Sequence, residues 1–129
     1  MLPHLDALLA GHELYAKQNQ FAPIRDEPRL LDALREAGAL SASQEADEPA
    51  ALLFALSRRP RTFGKAHGEM TLHITIEHAR CLGFAITVNI AVLELVRARI
   101  VRGAIEFSEL RSWFAEHLVT IPRKPWPPR

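Results

Sequence analysis

Prolines set the helix boundaries of this chain. Pro60 follows Arg58-Arg59 at the end of an apolar run. A proline cannot continue a helix, and the residue before it avoids helical geometry. Pro28 and Pro49 stand instead where a first helical turn tolerates proline, each ahead of an apolar series. Leu30, Leu31, Leu34 and Leu40 form the earlier series, with Gly38 near its stop and Asp26 and Glu27 at its positive end. Leu52, Leu53, Phe54 and Leu56 form the later one. Pro122, Pro125, Pro127 and Pro128 make residues 120–129 an extended or disordered basic tail.

The rest of the pattern also reads mostly as helix. Leu5 to Lys17 carries Leu5, Leu8, Leu9 and Leu14 on roughly one side, and Gln18 to Ile24 reads as a loop. Ser41 to Glu48 is polar and acidic. Met70 to Leu82 is ambiguous. Leu72 to Glu77 alternates as a strand does, yet Leu72, Ile76, Ala79 and Leu82 share a helical face. Thr87 to Arg102 reads as a long helix with Gly103 as its cap. Ser108 is set to cap a last helix, Glu109 to Val119, that turns Leu110, Trp113, Phe114 and Leu118 inward.

At 129 residues the chain suits one domain. Sixteen basic against fifteen acidic residues leave no bulk field for a polyanion, so general nucleic-acid binding is not expected. The single cysteine, Cys81, excludes a disulfide framework and a cysteine zinc site, and points to a reducing cytoplasm. The N-terminus lacks the basic region of a signal peptide. The most apolar stretch, Phe84 to Val96, is too short to span a bilayer and holds Asn89 and Glu94, so no membrane role is expected.

Four features carry candidate chemistry. The turn from Arg58 to Gly68 is rich in glycine and cations, and exposed amides beside Arg and Lys make a phosphate site. A solvated basic loop explains the same composition. Glu69, His73 and Glu77 share one face if their segment is helical, either as metal ligands or as a surface ladder of acid–imidazole pairs. The ladder is favoured, because no second Glu-x-x-His unit completes a cage, and no metal is assigned. His4, His12, His67, His73, His78 and His117 are scattered, and only His67 lies in the glycine-rich turn. Arg61 and His67 would suit the cation and acid/base of a metal-independent ribonuclease, although Arg and His at this separation are common by chance. In the tail, Trp126 among prolines with Arg123, Lys124 and Arg129 suits an aromatic groove or an acidic partner.

The order of these pieces resembles the Fic/Doc family, in its death-on-curing branch. His12-Glu13-Leu14 through Ile24-Arg25-Asp26-Glu27 and Leu30 to Leu34 looks like the family's opening helix and loop. Ala50 to Leu56 looks like the helix leading into its active loop. Val92 to Val96, Arg102 to Glu106 and Leu110 to Phe114 look like its closing helices, and this joint is the most specific part. The likeness covers most of residues 5–119. It implies an all-α compact bundle of about six helices, with residues 1–119 as one domain, helix for Met70 to Leu82, and Gly83 as its end.

The family's active loop reads H-P-F-x-D/E-G-N-x-R. Here Pro60 and Gly64 keep its spacing. The resemblance then sets the catalytic histidine on Arg59, the apolar anchor on Arg61 and the metal-binding acid on Phe63. The asparagine falls on Lys65 and the phosphate-binding arginine on His67. The run on to Gly83 is slightly long, which leaves room for this pairing to shift. Arginine is never a base, and phenylalanine offers Mg²⁺ no oxygen. The resemblance therefore implies a degenerate relative of a nucleotidyl- or phosphotransferase acting on protein. Its implied roles are a toxin-type component of a toxin–antitoxin pair, or a pseudoenzyme derived from one. Implied partners are a small antitoxin and a target in the translation machinery. Arg59, Arg61, Gly64 and Lys65 are its candidate anion site, for ATP or another nucleotide without tight Mg²⁺. His67 is the candidate displaced catalytic group. A non-catalytic partner-binding module and an Arg61–His67 ribonuclease are the rivals.

Overall fold

The computed structural model describes residues 2–3, 5–18 and 26–123. His4, residues 19–24 of the expected loop with Arg25 after them, and the tail from Lys124, Trp126 included, lie outside them. The described chain is mostly helical, as the pattern predicts. Its helices are α1 (Leu5–Gln18), α2 (Glu27–Leu40), α3 (Glu48–Ser57), α4 (His67–Leu82), α5 (Ile90–Val101) and α6 (Phe107–His117). Short 3₁₀ turns precede α3 and α4, at Glu45–Asp47 and Gly64–Ala66. No helix among the described residues is long and apolar enough to cross a membrane.

α2 starts as its residues dictate. The Asp26 carboxylate accepts from the Arg29 amide at 3.1 Å, and Pro28 occupies the first turn. α3 is apolar nearly all round and is correspondingly buried nearly all round. It divides the interior. Leu52, Ala55 and Leu56 pack with Leu8, Leu30, Phe63, Met70 and Ile74. Ala50 and Leu53 face the other way, onto Leu72, Leu93, Ile100, Leu110 and Phe114.

α4 settles the ambiguity at Met70 to Leu82 in favour of helix. Met70 and Ile74 face one cluster and Leu72 the other, so apolar residues occupy more than one side of the helix. That double burial produces the strand-like alternation. Gly83 ends the helix with φ 91°, a left-handed value that favours glycine.

Three expected boundaries move. α5 begins at Ile90, not Thr87, because Thr87 donates both its amide and its hydroxyl to the His117 carbonyl, at 2.8 and 3.0 Å. Asn89 caps it instead, accepting from the Val92 amide. α6 starts at Phe107 through a reciprocal Glu106–Glu109 capping box, with Ser108 inside the helix. Finally, Leu118–Thr120 is a strand and neither helix end nor free tail. It pairs antiparallel with Phe84–Ile86, setting Phe84 opposite Thr120 and Ile86 opposite Leu118. The Ile121 amide then donates to the Gly83 carbonyl at 2.8 Å, so ordered packing continues past residue 119.

The acidic stretch before α3 is consumed by long-range pairs. Asp47 meets Arg111 at 3.3 Å, Glu48 meets His78 at 2.9 Å, and Glu45 meets Arg123 at 3.1 Å. It therefore fastens α4, α6 and the segment after the final strand to the foot of α3.

Candidate functional site

The basic turn joins α3 to α4, and most of its charge is already spent. Arg58 and Arg59 share one carboxylate, Glu36 of α2, each at 3.0 Å. Arg58 also lies over the Phe54 ring, 5.1 Å from its centre. Arg59 donates a second bond to the Ala55 carbonyl at 2.9 Å. The turn's backbone is held as well. Arg29 donates to the Pro60 carbonyl at 2.5 Å, and the Asp26 amide to the Thr62 carbonyl at 2.8 Å. Arg59 is thus a structural clasp between helices, not an open anion ligand.

Arg61 stands at the exposed tip with φ 71°, the only non-glycine residue at positive φ among those described. A side chain there holds roughly 1–2 kcal/mol of backbone strain. Arg61→Gly is therefore expected to stabilise the protein by up to about 1 kcal/mol, after allowance for glycine's freer unfolded chain. A rise in the urea midpoint at unchanged slope checks it.

Phe63 and His67 point inward. Phe63 is fully buried, 5.0 Å from the His12 ring and 5.9 Å from the His67 ring. His67 is 7% exposed, and its Nε2 donates to the Leu56 carbonyl at 2.8 Å. Burial pushes its pKa below the ordinary 6.5, against the pull of that carbonyl and with help from the Arg97 and Arg29 charges. These positions bear on the pairing drawn from the resemblance. Phe63, which that pairing sets on the metal-binding acid, is a buried core ring. Arg61, which it sets on the apolar anchor, is solvent-exposed. A ring with no polar atom belongs in the core, and a guanidinium belongs outside it. The turn does not gather its candidates: Arg59 clasps α2, Arg61 tips outward and His67 is internal.

Lys65 faces a different feature. A cleft of about 710 Å³ opens between α4 and α5, lined by Lys65, Gly68, Glu69, Leu72, His73, Ile76, Ile90, Ala91, Glu94 and Arg97. Its charged end adjoins the start of α4, which no side chain caps. Here a Cβ on Gly68 would come within 3.1 Å of the Arg97 guanidinium, so glycine permits that close approach. Arg97 is held by two bonds to Glu94, at 2.8 and 2.6 Å, and that carboxylate pushes its pKa further up. Farther along α4, Leu72 and Ile76 with Ile90 and Ala91 make the lining apolar. Partial burial lowers the His73 pKa, Glu77 opposes the shift and Arg80 adds to it.

Of the Glu69, His73 and Glu77 face, the first two line the cleft, and Glu77 pairs with Arg80 at 2.9 Å. No group of three metal-ligating side chains assembles among the described residues. Sequence reasoning missed Arg97 because it lies on another helix, about thirty residues from the basic turn. The usable signal was Gly68, a glycine in the first turn of a helix. No protein-family model matches the chain, and no curated protein matches it either.

Proposed function

We propose that the protein is a pseudoenzyme derived from a Fic/Doc-type toxin, which holds a nucleotide in the α4–α5 cleft without transferring any part of it. The observation that carries this reading is the layout of that cleft. Lys65 and the Glu94-paired Arg97 flank the uncapped start of α4, with Glu69 beside them, and an apolar lining follows from Leu72 to Ile90. Phosphate suits the first end, through the helix dipole and a charge-assisted bond from Lys65. A base suits the second.

Phe63 as apolar anchor shifts the family pairing by two places. The base then falls on Arg61, the metal-binding acid on Lys65, the asparagine on His67 and the phosphate-binding arginine on Glu69. Arg61 stays protonated and takes no proton from a hydroxyl. Mg²⁺ does not fit, because Lys65 offers an ammonium where an oxygen donor is required. The ribonuclease alternative loses its acid/base, since the His67 ring is buried with Nε2 committed to Leu56. In this reading a small antitoxin and a translation-machinery target are inherited partners.

Calorimetry at low salt tests the reading with ATP, AMP and inorganic phosphate. Both nucleotides are expected to bind, and to bind tighter than phosphate because only they reach the apolar lining. Lys65→Glu should weaken ATP about tenfold, the equivalent of about 1.4 kcal/mol. Labelled ATP should transfer nothing to lysate proteins. No heat from any of the three ligands overturns the proposal.

A further inference from the structure

α5 is short of cover. Leu93, Val96 and Ile100 turn inward and are buried, yet Ile90, Leu95 and Val101 remain 60%, 67% and 54% exposed. Large apolar side chains of a helix normally turn toward a packed neighbour. Ala91, Glu94, Leu95, Ala98, Val101 and Arg102 recur at steps of three and four, which places them on one stripe away from the buried face. Ala91 and Ala98 lie seven residues apart on that stripe. Small side chains at that interval let a second helix axis come close. The stripe also has an ordered charge, with Glu94 in its first half and Arg102 at its end.

We propose that a second copy of this chain covers the stripe, α5 lying antiparallel against α5 about a two-fold axis at Ala98. The stripe is complementary to itself in that orientation and not in a parallel one. With Ala98 on the axis, Leu95 meets the other copy's Val101 and Glu94 meets its Arg102. A parallel pairing would set Glu94 against Glu94 and Arg102 against Arg102. Glu94 keeps its bonds to Arg97, and its side chain is still 44% exposed, which leaves room for a second guanidinium. A two-fold contact closes on itself and stops at the dimer. One helix of twelve residues makes a small interface, so the dimer forms at micromolar and not nanomolar concentration.

Sedimentation across a concentration series tests this on the full chain. The weight-average mass should climb toward two chains, while Leu95→Glu stays a monomer with unchanged circular dichroism. Leu95 is exposed, so that variant keeps its fold. Arg102→Glu should weaken the dimer about tenfold. A second experiment does not depend on those variants. In a Cys81→Ser background, Ala98→Cys treated with oxidised glutathione should form a disulfide-linked dimer, since the two thiols meet at the axis. Glu116→Cys, exposed on α6, should not. A chain that remains monomeric at every concentration overturns the proposal. Equal cross-linking at positions 98 and 116 overturns it as well.

Discussion

Phe63→Ala should destabilise the protein by about 3–5 kcal/mol. The ring is fully buried among Leu8, Leu30, Leu56 and Met70, and it touches the imidazoles of His12 and His67. Alanine removes the apolar transfer gain of the ring and leaves a cavity that α1, α2 and α4 cannot all close. Domains of this size have only about 5–15 kcal/mol of stability, so the melting point should fall by roughly 10 °C or more. Phe63→Leu, which keeps most of the volume, should lose less than half as much. Arg61→Ala should change stability by under about 1 kcal/mol, because that side chain is exposed. Urea titration of the three variants ranks them. A Phe63→Ala protein within 1 kcal/mol of wild type would show that the ring does not anchor this core.

The second large effect lies at the foot of α3. Glu48 Oε1 accepts from His78 Nε2 at 2.9 Å, and both side chains are more than nine-tenths buried. Glu48 also opens α3, where the helix dipole favours an acid. Glu48→Ala strips the imidazole of its acceptor in a site water does not reach, at an expected loss of about 2–5 kcal/mol. Glu48→Gln retains an acceptor oxygen and should lose less. Replacing both residues by leucine should recover much of the loss, since no orphaned polar group remains.

The same site makes the protein acid-sensitive. Burial holds the His78 pKa below 6.5, although Glu48 pulls it up, and burial does the same to His67. In the unfolded chain both imidazoles take protons near 6.5, while the folded chain resists them. The unfolded state therefore gains protons first as pH falls. Stability from this source is complete above about pH 6.5 and is lost below it, at up to about 1.4 kcal/mol per pH unit for each histidine. Urea midpoints at about pH 7.5 and 5.5 check the sign. A protein equally stable at both would refute neutral burial of these rings.

Local chemistry made much of the fold legible. Asp26 with Pro28, and Pro60 after Arg59, marked helix ends that depend on their neighbours alone. The strand pair was not legible. Leu118-Val119-Thr120 acquires its conformation from Phe84-Ala85-Ile86, and no short window of sequence contains both. Thr87 left the start of α5 for a carbonyl thirty residues away, and Asn89 replaced it. At the site, charge was visible but its assignment was not. Arg59 looked like a ligand until Glu36 took it, while Arg97 drew no reading at all, because only the close approach of Gly68 brings it to the cleft.

α3 separates two interior clusters and supplies side chains to both. Neither half of the molecule has a wall of its own on that side. Loosening α1 and α2 bares Leu52 and Leu56, and loosening α5 and α6 bares Leu53. Each half therefore melts at the expense of the other, and the two behave as one cooperative unit. The amide hydrogens of α3 are screened from solvent by both halves together, and only unfolding of the whole chain releases them to exchange.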